Sequence, residues 1–227
     1  MITVKKDAIK FKTPDGMQSA GVLANVGTFG VDNMKLMTQW ASTFYKASFS
    51  EETHLVLEYG DTFGGAMTNM FAYTSSSKIK SIKIVGNRQV TGVTLNSTFN
   101  NCSAEIIDFS ECDFVLVTGA MQSTFSNCTK LKEIKGTLDV SKVSSFVTPF
   151  NGCTVLEEVR FLEGNIFKSI AFNSSSLLSD ESIQSIIDGL ADLTDSDTQT
   201  LMLHATVKAK LTEEQIATIT SKNWTLA

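Results

Sequence analysis

Cysteine, histidine and carboxylate are the side chains here that could act as nucleophiles, proton carriers or metal ligands, and their spacing argues against all three uses. Cys102, Cys128 and Cys153 recur at intervals of 26 and 25 residues, with Cys112 outside the pattern. A nucleophilic thiolate needs a base beside it, and a zinc site needs short paired spacings such as C-x2-C together with His. The only two histidines, His54 and His204, stand 150 residues apart, and no G-x-S-x-G elbow marks a serine nucleophile. The regular cysteines therefore read as small apolar side chains at equivalent places in stacked units, and their even number does not establish disulfides. Gly60-Asp61-Thr62-Phe63-Gly64-Gly65 lacks the Gly-Lys-Ser/Thr ending that brings a cation and a hydroxyl to a phosphate, and reads as a flexible loop. Asp192, Asp195 and Asp197 could suit a hard cation, but the glycine and terminal glutamate of a calcium loop are missing; a polar helix-to-strand turn is expected. The dispersed acids form no identifiable pair for glycoside hydrolysis. No catalytic residue, metal or cofactor is assigned.

The elements that would position any site follow from a phenylalanine period. Phe44, Phe71, Phe99, Phe125, Phe150 and Phe172 recur at intervals of 27, 28, 26, 25 and 22, opening the phrases FYKAS, FAYTS, FNNCS, FSNCT, FNGCT and FNSSS. A fixed period of this length marks a repeated structural unit, which buries its apolar side only when stacked on its neighbours. Apolar extended segments follow the first five at His54–Glu58, Ser81–Ile84, Ile106–Phe109, Leu131–Ile134 and Leu156–Phe161. The array is placed at 41–177.

Both ends depart from the period. Residues 1–40 hold an alternating Ala8–Lys12, a Thr13-Pro14-Asp15-Gly16 turn and a possible returning strand from Gln18 to Val26, predicting a β-hairpin that docks or caps. In 178–227, Ser179-Asp180-Glu181-Ser182 opens a helix with Ile183, Ile186, Ile187 and Leu190 on one face. Leu201-Met202-Leu203 with His204 reads as a strand. Thr212 and Gln215 make a capping box for a second helix, with Leu211 and Ile216 set for a hydrophobic staple, Ile216 and Ile219 on its apolar face, and Trp224 able to fold back. The expected fold is mainly β with short helices: a leucine-rich-repeat-like solenoid with an N-terminal β-hairpin segment and a C-terminal α/β cap.

STFSNCTKLKEI at 123–134, LDVSKVSSF at 138–146 and FNGCTVLEEV at 150–159 resemble the BspA-like leucine-rich repeats and the related surface-lipoprotein repeats. The likeness spans about 135 residues, is strongest from Leu95 to Phe161, and weakens at Phe44 and Phe71, where the cysteine is missing. LTEEQIATITSKNWTLA at 211–227 is similar to segments that follow such repeats in proteins of gut bacteria and their phages, and MITVKKDAIKFKTPDG resembles the opening of phage tail and virion proteins. The resemblance implies a binding or structural surface on cells or virions, with no catalytic residues to carry across.

Candidate contact residues lie between the phenylalanines. Taking residues beside inward apolar positions as outward-facing, Val56, Lys83, Asp108, Lys135 and Arg160 are expected in one exposed row, either a solvated face with weak cross-strand ion pairs or a ligand-facing one. Tyr45, Tyr73 and Trp40 are the rings least committed to the core. The net charge of -5 disfavours broad nucleic-acid binding. No run is long and apolar enough to span a membrane, and Met1–Asp7 lacks the core of a secretory signal. Together these point to a non-enzymatic phage virion protein, in the tail or another exposed attachment, assembled in the host cytoplasm. Its partners would be virion neighbours or a host receptor, protein or glycan, with a homo-oligomer possible. The alternative is a bacterial cell-surface adhesin whose export signal lies outside this sequence.

Overall fold

The computed structural model describes residues 9–11, 39–49, 52–61, 63–74, 78–86, 90–112, 114–116 and 119–227. Five strands, β3 (Thr53–Glu58), β4 (Ile79–Val85), β6 (Ile106–Glu111), β8 (Glu133–Leu138) and β9 (Glu158–Phe161), form one parallel sheet in chain order. Leu55, Ile82, Ile107 and Ile134 stand in register and are buried, so a single apolar position per unit builds a continuous seam across the sheet. Alternation of side chains across the pleat leaves the residues on either side of that seam facing the opposite way.

A second seam is made by the repeat phenylalanines. All six rings are fully buried, and successive rings stack at centroid distances of 4.8, 5.7, 5.5, 5.4 and 4.6 Å, within 20° of parallel. These distances follow the spacing of adjacent parallel chains, about 4.8 Å. The backbone around each ring explains how the register is kept. Residues two before and two after each of the first five phenylalanines have positive φ: Ser42 and Lys46, Asn69 and Tyr73, Ser97 and Asn101, Ser123 and Asn127, Thr148 and Gly152. Around Phe44, the amides of Ser42, Phe44 and Lys46 donate to the next rung at 2.8–2.9 Å, whereas those of Thr43, Tyr45 and Ala47 close turns three residues back. The same alternation recurs around Phe71 and Phe99, satisfying backbone groups that burial would otherwise leave unpaired.

Buried hydroxyls and thiols complete this edge. Three residues after the ring, Thr74 Oγ1, Cys128 Sγ and Cys153 Sγ each donate to the carbonyl of the preceding phenylalanine, at 3.0, 2.9 and 3.0 Å. Ser175 Oγ donates to Cys153 O at 3.1 Å. Thr74 thus does in its unit what Cys128 and Cys153 do in theirs.

Shorter pairings flank the main sheet. β5 (Val90–Val93) and β7 (Phe114–Leu116) form a separate parallel pair, and β1 (Ile9–Phe11) runs antiparallel to β2 (Ala47–Phe49). Thus β1 pairs with the end of the first rung; the expected returning strand at Gln18–Val26 lies outside the described residues. Beyond β9, helix α1 (Asp180–Gly189) begins at the N-cap Ser179 and buries Ile183, Ile186 and Ile187. Its Ser182 and Ser185 hydroxyls accept the amides of Val159 and Phe161 at 2.9 and 3.0 Å, closing the edge that a sixth strand would otherwise occupy.

The carboxy-terminal strands β10 (Ile170–Phe172), β11 (Gln199–Leu203) and β12 (Trp224–Leu226) make a parallel sheet, so the last repeat phenylalanine is shared with the closing segment. Helix α2 (Ala205–Lys208) is capped by His204, whose Nδ1 accepts the Thr206 amide at 3.2 Å; His204 therefore leaves the strand in which the sequence places it. Helix α3 (Glu213–Ser221) carries the expected capping box of Thr212 and Gln215. Its apolar face is narrower than expected, since Ile219 is buried but Ile216 remains 40% exposed. Lys222 donates to the Ile187, Asp188 and Leu190 carbonyls at 3.1, 3.3 and 2.9 Å, neutralising the C-terminal end of α1. Trp224 is buried and its Nε1 donates to Ala191 O at 2.9 Å.

Candidate interaction surface

Three of the four cysteines, Cys102, Cys128 and Cys153, are buried. Burial pushes the Cys102 and Cys153 thiols up to about 12 and the Cys128 thiol well above its ordinary value, so all three stay protonated near neutral pH. Cys112 is raised for the same reason and donates to Ile84 O at 2.8 Å. Two residues of the glycine-rich stretch are packed. Phe63 is buried against Trp40 at 4.6 Å, and Gly65, at φ +85°, lies so close to the next rung that a Cβ would stand 3.1 Å from Val93 Cα. Asp192 turns inward on its own loop and accepts the Thr194 amide at 3.0 Å, which lowers its pKa. Among the described residues no three potential metal ligands converge, and no helix is long and apolar enough to cross a membrane.

The outward row is assembled for four of its five expected members. Val56 stands opposite Lys83, Lys83 opposite Asp108, and Asp108 opposite Lys135. Arg160 departs from the row. Between β8 and β9 the register jumps from Glu133–Glu158 to Thr137–Arg160, which puts Arg160 against Thr137. The extra β8 residues bulge at Gly136, whose φ of +92° and approach to Phe109 leave no room for a Cβ, 2.9 Å from that carbonyl carbon. This bulge is what the even spacing of the sequence concealed.

Nor do the charges in the row pair with one another. Lys83 Nζ binds Glu111 Oε1 at 2.5 Å, and Lys135 Nζ lies 3.7 Å from Glu133 on its own strand. Asp108 accepts from the amide and hydroxyl of Ser110 at 2.8 and 2.6 Å. A second row, missed by the sequence reading, carries two further ion pairs between units. Glu105 binds Lys80 at 2.6 Å and Lys132 at 3.1 Å, and amide-to-carbonyl bonds link Lys80, Glu105, Lys132 and Glu157 in succession. Hydrogen bonds from Lys80 and then Lys132 hold the Glu105 carboxyl down to about 2. Its signal was available: a charge of alternating sign every 25 to 27 residues, at or just before the start of each strand.

The rings divide. Trp40 is wholly buried, in contrast to its expected availability, because it closes over Tyr59 and Phe63 at 6.4 and 4.6 Å. Tyr45 and Tyr73 lie edge to face, 5.9 Å apart at 82°, with Tyr73 47% exposed. Lys46 Nζ sits 5.2 Å from the first ring and 5.9 Å from the second. Two separate surfaces therefore emerge, a charged strand face and an aromatic-cationic cluster on the phenylalanine edge. Compared with protein-family models, curated proteins and solved structures, the chain matches none.

Proposed function

We propose that this chain is a non-enzymatic binding protein of a phage virion, in the tail or another exposed attachment, whose leucine-rich-repeat-like solenoid presents an ordered surface to a host receptor or to virion neighbours. The observation that carries the binding reading is the division of each rung. Phenylalanine, hydroxyl and thiol groups are spent inside, and the polar side chains of the sheet are set outside in register, one rung apart. Such a face can meet a partner through many spaced contacts. The stack of six rings and the sheet that follows chain order support the solenoid reading. Assignment to a virion rests on the likeness of MITVKKDAIKFKTPDG and of the 211–227 segment to phage proteins.

Mass spectrometry of purified phage particles tests it. The chain should be found in stoichiometric amount with the other virion proteins. Its absence from particles would remove the virion assignment, and detection on the bacterial surface instead would select the adhesin reading.

A further inference from the structure

We propose that Tyr45, Lys46 and Tyr73 form a binding site for an acidic saccharide, a sugar chain bearing carboxylates; this rests on reading the chain as a non-catalytic binding protein. The argument begins with the backbone. The position two residues after each rung phenylalanine is left-handed in five successive rungs, and three of them fill it with Asn101, Asn127 and Gly152. Asparagine and glycine enter that region readily, whereas bulky side chains there are outliers. In the first two rungs the same position is held by Lys46 at φ 55° and Tyr73 at φ 59°. Lys46 is exposed and Tyr73 is 47% exposed, so neither is repaid by burial in the core. Strain retained at an exposed site, where the chain elsewhere uses an unstrained residue, points to function.

The chemistry of the cluster names the ligand class. Two phenol rings at 82° offer a face on which a pyranose can stack and a hydroxyl to bond it. The Lys46 ammonium lies over both rings, and among the described residues no carboxylate pairs with it. An anionic group on the sugar would complete that charge. Three side chains are far fewer than the ~20 residues a protein partner usually engages, but they match one or two sugar rings.

Titration of the full chain with trigalacturonate, and with neutral galactotriose as control, provides the test. The acidic trisaccharide should bind saturably below about 5 mM, at least ~10-fold more tightly than the neutral one. Tyr73→Asn should weaken it at least ~10-fold while raising the melting temperature by about 2–4 °C, because backbone strain is released. Lys46→Asn should abolish the preference for the acidic sugar with the fold unharmed. No binding of trigalacturonate by the unaltered chain would overturn the proposal, as would a Tyr73→Asn chain that binds normally. A Tyr73→Asn chain that melts lower would assign the ring to packing and also overturn it. Particle composition is read independently of these titrations, so the two readings can fail separately.

Discussion

The rungs of Phe44 and Phe71 and those of Phe99, Phe125 and Phe150 share one backbone and differ in the residues that occupy it. Both groups bury the ring and turn left-handed on either side, and from Phe44 to Phe125 the ring amide donates to the next rung. The later group fills the strained position with Asn or Gly and the position three after the ring with Cys, of which Cys128 and Cys153 donate; the earlier one uses Lys46, Tyr73 and Thr74. The difference teaches that the rung geometry is set by hydrogen bonding and ring stacking, and that residue identity at its exposed corners is free to serve something else.

The largest effect should come from the stack itself. Phe125→Ala removes a ring held between two others and should cost about 3–5 kcal/mol in denaturant unfolding. Phe172→Ala, at the other end of the stack and face to face with Phe150, should cost less. Equal losses would break the view that stacking neighbours set the energetics. Next, Gly152→Ala places a Cβ 2.7 Å from Asn127 Oδ1 in a left-handed residue, and should destabilise by about 1–2 kcal/mol. A neutral result would show that the later rungs tolerate side chains as the first two do. Cys128→Val deletes the donor to Phe99 O and should cost about 1 kcal/mol, whereas Cys128→Thr should restore most of it, as Thr74 does in its rung.

The smallest effect concerns the ion ladder. The Glu105 carboxyl is depressed in the folded chain, so the unfolded chain binds its proton first as pH falls. Its contribution is therefore complete above the unfolded value of about 4.3 and fades as pH drops toward the folded value near 2. The melting temperature of the unaltered chain should exceed that of Glu105→Gln at neutral pH and low salt, with the gap closing by pH 2 and shrinking in salt. A gap unchanged by pH would separate the ladder's role from its charge.

Much of this was legible from the period alone. The five strands of the main sheet, the buried rings, the helix of Ile183, Ile186 and Ile187 and the Thr212 capping box all rest on short-range patterns that a sequence displays. Arg160 was misplaced because a bulge at Gly136 shifts register without altering hydrophobic alternation. Trp40 was misread because its partners, Tyr59 and Phe63, belong to the crossing into the next rung. The cluster residues Tyr45 and Tyr73 were visible as rings. What the sequence withheld was the contrast between Tyr73 and Asn101, a backbone angle that only stacking imposes.

The alternation of amides around each phenylalanine also gives the array a direction. From Phe44 to Phe125 the amides of the ring residue and of the residues two before and two after it donate toward the carboxy-terminal neighbour, whereas those of Thr94, Ser103 and Glu105 donate back. Lengths between phenylalanines vary from 22 to 28 residues, and this variation falls in the connections. The joint around each phenylalanine from Phe44 to Phe125 is thus repeated unit by unit, and the differences in length stand outside it.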